Sequence, residues 1–279
     1  MIKSICVCGA GTMGTGIAQA AAQHGFDVIL YDLSLSMLQQ SIEQIEKNLQ
    51  LLADKQKISS AARKSILEKL RFENSLARCK ADLVIEAVVE KIEVKTELFR
   101  NLADINGDET IFASNTSSLS ITTIARQHPD PSRVAGLHFF NPATIMKLVE
   151  VVKTGYTSEE VVQALMTLSR DMGKTPVLCQ DSPGFIVNRV ARPYYIEALR
   201  LAEEGVPYSV IDQLMESAGF KLGPFGLMDM IGNDVNYAVS CSVYEQLGKP
   251  ERLRPSEIQK EKVTEGMLGR KSGAGYYTY

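Results

Sequence analysis

The sequence has little with which to tie itself together covalently: five cysteines in 279 residues, at positions 6, 8, 79, 179 and 241. An odd, scattered set in a long chain is not the framework of a secreted disulfide scaffold, so the thiols are expected to be reduced and buried. Cys6 and Cys8 stand two apart in a β-branched segment, where strand alternation puts both on one face, but no second Cys or His cluster completes a zinc set. Charge of one sign is also missing. Thirty Lys and Arg against 33 Asp and Glu leave a net charge of -3, which gives no general attraction to nucleic acid or anionic lipid, so any anionic ligand must be held by a local site. With 45% hydrophobic and 23% charged residues the chain is neither disordered nor membrane-spanning in composition. The opening apolar stretch is too short for a signal peptide and runs at once into a glycine motif. No internal repeat and no low-complexity tract is present. These absences leave a globular protein of a reducing compartment, expected in the cytoplasm, with no metal and no nucleic-acid or membrane partner.

Apolar β-branched segments recur at Ile2 to Cys8, Val28 to Tyr31, Leu83 to Val88, Thr110 to Ala113, Val134 to Phe139 and Leu148 to Val152, with helical patterns between them. This alternation predicts a mostly parallel sheet with helices on both faces. Leu35, Leu38, Ile42, Ile45, Leu49 and Leu52 repeat at steps of three and four, which predicts an amphipathic helix over 34–53 with Ser34 as N-cap. A second helix is expected at about 59–70, so the two form a hairpin inserted in the sheet topology, with Asp54-Lys55-Gln56-Lys57 at its tip. After Asp181-Ser182-Pro183-Gly184 the strand signal ends, and the pattern turns helical, with capping-type residues at Ser209 and Ser256 and breaks at Gly223-Pro224 and Gly248-Lys249-Pro250. The reading is therefore a domain over 1–183 followed by an all-α domain over 184–279. The glycine-rich end, Gly269 to Gly275, reads as a loop returning to another surface.

Four features carry chemistry. Gly9-x-Gly11-x-x-Gly14 follows the first strand and opens a helix that runs to about His24. The first glycine permits a tight turn, the second lets backbone approach a pyrophosphate, and the third allows the helix to pack on the strand. The phosphates would then lie on a helix N-terminus, where N–H groups and the dipole favour negative charge. Asp32 stands eighteen residues after Gly14 at the end of strand two. A carboxylate there accepts from ribose hydroxyls and repels an added phosphate, so the motif points to NAD rather than NADP. The second feature is a pair of polar residues in apolar segments, His138 and Glu150. A carboxylate inside a buried strand costs several kcal/mol unless it is paired or protonated. With the turn residues Asn141-Pro142 between the segments, neighbouring strands would bring imidazole and carboxylate together and make His138 a base near neutral pH. The alternative is a satisfied core histidine with Glu150 facing water on an edge strand, and spacing does not decide between them. His24 and His128 lie beside polar residues and read as surface. Third, Ser114 to Ser118 follow a strand at the end where ligands gather in such folds, although a capped turn before a helix near Ser120 has the same composition. Fourth, Asn188 interrupts Phe185-Ile186-Val187 early in the first helix of the second domain, where it is either solvated or turned to a cleft.

At these residues the sequence resembles the 3-hydroxyacyl-CoA dehydrogenase family, in its short bacterial 3-hydroxybutyryl-CoA dehydrogenase type. The resemblance covers essentially the whole chain. It rests on Gly9-Ala10-Gly11-Thr12-Met13-Gly14, Ser114-Asn115-Thr116-Ser117-Ser118-Leu119-Ser120, Gly136-Leu137-His138-Phe139-Phe140-Asn141-Pro142, Met146 to Val152, and Asp181 to Arg189. It implies a Rossmann-type doubly wound domain, then a helical domain for substrate and dimerisation, and reversible NAD-dependent oxidation of an L-3-hydroxyacyl-CoA to the 3-oxoacyl-CoA. It implies that His138 takes the hydroxyl proton, that Glu150 orients and supports it, and that Ser117 and Asn188 hydrogen-bond the reacting oxygen or the thioester. Cofactor contacts carry over to Gly9, Gly11, Thr12, Met13, Gly14, Asp32, Glu90, Lys95, Ser117, Asn141 and Lys271. The hairpin corresponds to the segment that grips CoA, with Lys55 in the phosphate-binding role. Leu51 and Asp54 stand where relatives often carry further lysines, so CoA is either held more weakly or held by Lys57 instead, unless that lysine is simply a solvated loop charge, and Gly226 stands where the family usually has glutamate. The family also implies a homodimer. Rival readings are a dehydrogenase of a non-CoA or dicarboxylic substrate, such as gulonate or 3-hydroxyadipyl-CoA, and a crystallin-like structural recruit.

Overall fold

The β-branched segments become the strands of one sheet: β1 (Ser4–Cys8), β2 (Asp27–Tyr31), β3 (Leu70–Glu73), β4 (Leu83–Glu86), β5 (Ile111–Ser114), β6 (Val134–Phe139), β7 (Leu148–Lys153) and β8 (Thr175–Gln180). The computed structural model describes residues 2–279. Strand order is β3-β2-β1-β4-β5-β6-β7-β8. Every neighbouring pair is parallel except β6 and β7. From β1 the chain builds outward in one direction through β2 and β3, then returns to place β4 on the other side, so the topological switch falls between β1 and β4. Ligands of doubly wound sheets bind outside the carboxyl ends of the strands at that switch.

The sheet's middle is dry because its strands are apolar on both faces. Ile5, Val7, Leu83, Ile85, Val149 and Val151 are buried in one core, each contributing roughly 1.5–3 kcal/mol by leaving water. Around the sheet run α1 (Thr12–Gln23), α2 (Leu35–Asp54), α3 (Ser60–Glu68), α4 (Ile92–Ala103), α5 (Ile121–Ala125) and α6 (Glu159–Asp171). The inserted hairpin is α2 with α3. Ser34 caps α2 by accepting from the Met37 N–H at 3.3 Å, and Ser59 caps α3 by accepting from Ala62 at 3.0 Å. Gly136 lets β6 sit close to its neighbours, since a Cβ there would stand 2.8 Å from the Val152 Cβ.

Two strands went unread in the sequence. β3 is short and half polar, with Arg71 and Glu73 paired at 3.4 Å. β8 is the opposite edge strand and carries Pro176, which an edge tolerates because one row of N–H groups needs no partner.

A second correction concerns His128, expected on the surface and found 4% exposed. Its ring lies 4.4 Å from that of Phe112 and meets Phe99 edge-on at 6.5 Å. Burial, reinforced by the nearby Arg133 charge, holds its pKa below the ordinary 6.5, against the opposing pull of Asp130. Because the unfolded imidazole takes up a proton more readily, this histidine's contribution is intact above pH 6.5 and is lost as the pH falls beneath it. The expected result is a melting temperature that declines between about pH 7 and pH 5, by about 2–4 °C for each kcal/mol lost. His128→Phe should flatten that decline in calorimetry, and an unchanged slope would assign it to another group.

The second unit, Ser182–Tyr279, has helices as its regular elements and no strand among the described residues. It comprises α7 (Val187–Glu203), α8 (Tyr208–Ser217), α9 (Pro224–Ile231), α10 (Asn233–Gln246) and α11 (Glu257–Thr264). Its core gathers Tyr195, Leu199, Ile211, Phe225, Met228 and Tyr276. Ser209 is not a cap, because α8 begins one residue earlier after Pro207. Ser256 does precede α11, but its hydroxyl donates to Glu203 at 2.6 Å instead of capping. Asp212 accepts from the Phe225 and Gly226 N–H groups, both at 2.9 Å, and so caps α9 where the family pattern has glutamate at 226. The glycine-rich end folds onto buried Asp229, which accepts from the Tyr276 and Tyr277 N–H groups at 2.9 Å each.

Candidate active site

The glycine loop is built as a cradle. Gly9 takes a φ of +105°, reached without strain by glycine alone, and its N–H donates to the Tyr31 oxygen at 2.7 Å. A Cβ on Gly14 would lie 1.7 Å from the Gly9 oxygen, so α1 packs directly on the turn. Gly11 differs from both, since a Cβ there would meet nothing within 4 Å. No side chain caps the start of α1, and its first turn holds no acid. Asp32 is fixed by two backbone groups, accepting from Ala10 at 2.7 Å and Ser34 at 2.9 Å. Open space over Gly11, an uncapped helix start and an oriented carboxylate at the end of β2 fit a dinucleotide. Gly11 and Thr12, with Gln44 and Asn48 of α2 and Asn141 to Thr144, line a cleft of about 340 Å³. Met13 is half-buried and packs against the core.

On the far side of the switch a charged cluster closes the ends of β4 and β5. Glu86 ends β4 fully buried, and Lys95 of α4 is 1% exposed. The ammonium lies 2.6 Å from Glu86 and 3.0 Å from Glu90. Glu86 also accepts from the Ser114 hydroxyl at 2.6 Å and the Val88 N–H at 2.7 Å. Burial raises the Glu86 pKa above the ordinary carboxylate value, although Lys95 and Ser114 work against it. Burial also pushes on Glu90, but there Lys95 and the Thr116 hydroxyl outweigh it and hold the carboxyl below its usual range. Glu90 in turn orders the following loop: Thr116 donates to it in a very short bond, and the Ser117 N–H and Ser118 hydroxyl follow at 3.2 Å. Glu86 was not singled out in the sequence, whereas Ser114 and Thr116 belong to the serine-rich run that was. Glu86 carried the same signal as Glu150, an acid inside an apolar strand.

His138 and Glu150 are direct cross-strand partners in the antiparallel pairing of β6 with β7. The Nδ1 atom lies 2.7 Å from Glu150 Oε2, with the residues 6% and 1% exposed. A short contact of this kind fixes the orientation of the ring. The Phe140 ring flanks the imidazole at 4.6 Å, and Asn115 accepts from the Phe139 N–H at 2.9 Å, tying the serine-rich loop to the end of β6.

Asn188 and Lys271 belong to the second unit, and Lys55 and Lys57 to the hairpin of the first. Asn188 is half-buried in the first turn of α7. Lys271 is paired with Asp234 at 2.6 Å, both in the second unit. Lys55 and Lys57 are exposed at the hairpin tip, while Asp54 accepts from Gln50 at 2.7 Å.

Comparison with known proteins gives one family. The NAD-binding domain of 3-hydroxyacyl-CoA dehydrogenase matches residues 4–182, and the C-terminal domain of the same family matches 184–279. A 3-hydroxyadipyl-CoA dehydrogenase of Escherichia coli is 47% identical over 100% of the chain, which spans 59% of that relative's length. A probable 3-hydroxybutyryl-CoA dehydrogenase of Bacillus subtilis is 41% identical over 100% of this chain and 98% of its own. Among solved structures, (S)-3-hydroxybutyryl-CoA dehydrogenase of Ralstonia eutropha superposes with a TM-score of 0.95 at 37% identity, covering 100% of this chain and 99% of that one.

Proposed function

The chain belongs to the 3-hydroxyacyl-CoA dehydrogenase family, and from that premise we propose that it catalyses the reversible oxidation of an L-3-hydroxyacyl-CoA with His138 as general base. The observation that carries this reading is the buried contact between His138 and Glu150 in a domain built to hold NAD. Gly9, Gly11, Thr12, Met13, Gly14 and Asp32 would hold the dinucleotide, with Glu90, Lys95, Ser117, Asn141 and Lys271 as further contacts implied by the family pattern. When bound, NAD supplies the hydride acceptor.

The chain's own residues handle the proton and the position of the substrate. Glu150 occupies Nδ1, so Nε2 takes the hydroxyl proton in oxidation and returns it in reduction. The imidazolium that forms beside Glu150 is a paired charge and not a lone one, which lowers the cost of proton transfer inside the sheet. General-base action contributes ~10²–10⁴ in rate, and fixing the substrate supplies much of the rest. Ser117, held by Glu90 through its N–H, and Asn188 are assigned to the reacting oxygen or thioester. Lys55 is assigned to the CoA phosphates. The reading also includes a cytoplasmic homodimer formed through the second unit, which exposes Val190, Val210 and Leu214. Among the described residues no helix is long and apolar enough to cross a membrane.

The Escherichia coli and Bacillus subtilis relatives are named for different acyl chains, so the far end of the acyl group has to be read from this chain's own residues. The test of the reading is nicotinamide absorbance with purified protein and acetoacetyl-CoA, longer 3-oxoacyl-CoAs and free 3-oxo acids. Consumption of NADH with the thioesters and not with the free acids is expected. Turnover of free acids alone would replace the reading with a non-CoA dehydrogenase.

A further inference from the structure

Arg192 lies in α7 four residues after Asn188, one turn along on the same helix face. It is 3% exposed, yet none of its resolved partners is an acid. Its Nε donates to the Asn188 backbone oxygen at 3.1 Å, and its Nη1 donates to the Asn236 oxygen at 3.1 Å and the Ser240 hydroxyl at 2.9 Å. The Tyr195 ring lies 4.9 Å from Cζ. A guanidinium has five N–H donors. Three are used here, and the two on Nη2 meet no protein acceptor among the described residues. Nor is Nη2 sealed away, in contrast to the Nε of Arg63, which is both enclosed and unbonded.

A buried cation is normally paired with an anion, because neutral dipoles and a ring replace only part of its hydration. Desolvation accordingly pulls the Arg192 pKa down to about 10, with Tyr195 opposing, and the group stays charged at neutral pH. A desolvated guanidinium with one edge open and no acid beside it is arranged for an anion that arrives with a ligand. Of the anions a guanidinium pairs with bidentately, a carboxylate is the small, planar, singly charged one.

We propose that Arg192 is a specificity site for a carboxylate at the far end of the acyl chain, making ω-carboxylated 3-hydroxyacyl-CoAs the preferred substrates. This rests on the dehydrogenase reading above, in which Asn188 meets the reacting end of the substrate. One helical turn is ~5.4 Å, about the reach from a C3 oxygen-bearing carbon to a carboxylate at C6.

The test compares 3-oxoadipyl-CoA with 3-oxohexanoyl-CoA, which differ only at that end, and adds calorimetric binding of adipyl-CoA against hexanoyl-CoA, which cannot turn over. The wild type should favour the carboxylated substrate by roughly 10- to 100-fold in kcat/KM, the worth of a hydrogen bond to a charged group. Arg192→Gln should bring that ratio near one by acting mainly on the carboxylated substrate, and Arg192→Lys should keep part of the preference. Equal losses on both substrates would make Arg192 a brace between α7 and α10 and overturn the proposal. A wild type that prefers the neutral chain would overturn it without any variant. No turnover of either thioester would instead sink the dehydrogenase reading, and the adipyl-CoA against hexanoyl-CoA binding ratio would still decide the role of Arg192.

Discussion

Glu150→Gln is expected to lower kcat by roughly 10²–10⁴ while the affinity for NADH and the melting temperature stay close to those of the wild type. The amide keeps the shape of the carboxylate and leaves an oxygen able to accept from Nδ1, so little packing is lost between β6 and β7. What it loses is the negative charge 2.7 Å from the ring. The imidazolium formed on proton transfer would then be a desolvated cation without its partner, and an unpaired charge of that kind is costly in a low-dielectric interior. The amide also presents a donor as readily as an acceptor, so the ring can be held in the wrong tautomer. A comparison of kcat, KM and NADH titration separates the two possible roles. A purely structural carboxylate would change stability and leave kcat alone, and that outcome would remove Glu150 from the mechanism. His138→Gln should lose at least as much rate, since it deletes the base proposed above.

The dyad also shows how far the sequence could be read. An acid in Leu148-Val149-Glu150-Val151-Val152 and a histidine in Val134 to Phe140 were each visible as polar residues in apolar strands. Their meeting depends on register, which a shift of one residue would have reversed by turning one side chain to the opposite face. Only the observed pairing of His138 with Glu150 settles it. The glycine loop was legible because its spacing encodes backbone geometry directly. The ends of β4 and β5 were less so: Glu86 has its partners, Lys95 and Ser114, nine and 28 residues away, and nothing local announces them. His128 failed for a related reason. Its neighbours in sequence are polar, but its neighbours in space are Phe112 and Phe99. β8 was missed because an edge strand is half exposed, with Val177 and Leu178 partly in solvent, and so lacks the uniform burial that marked the central strands.

The other large effect is expected from two glycines three residues apart that do opposite things. Gly14→Ala should destabilise the protein by more than ~3 kcal/mol, because its Cβ would stand 1.7 Å from the Gly9 oxygen. That oxygen belongs to a turn whose own N–H is bonded to Tyr31, so the backbone has no cheap way to yield. Gly11→Ala should leave the fold almost untouched, within ~0.5 kcal/mol, since Gly11 has an ordinary extended conformation (φ -73°, ψ -175°) and open space around its missing Cβ. Alanine there even lowers the entropy of the unfolded chain. Yet the same methyl stands where a pyrophosphate would approach the start of α1, and NADH affinity should fall by at least ~10-fold, about 1.4 kcal/mol. Melting curves and NADH fluorescence titration on the two variants read the effects separately. Should Gly11→Ala bind NADH as the wild type does, no phosphate lies over that position, and the loop would be a packing device whatever Gly14→Ala does to stability.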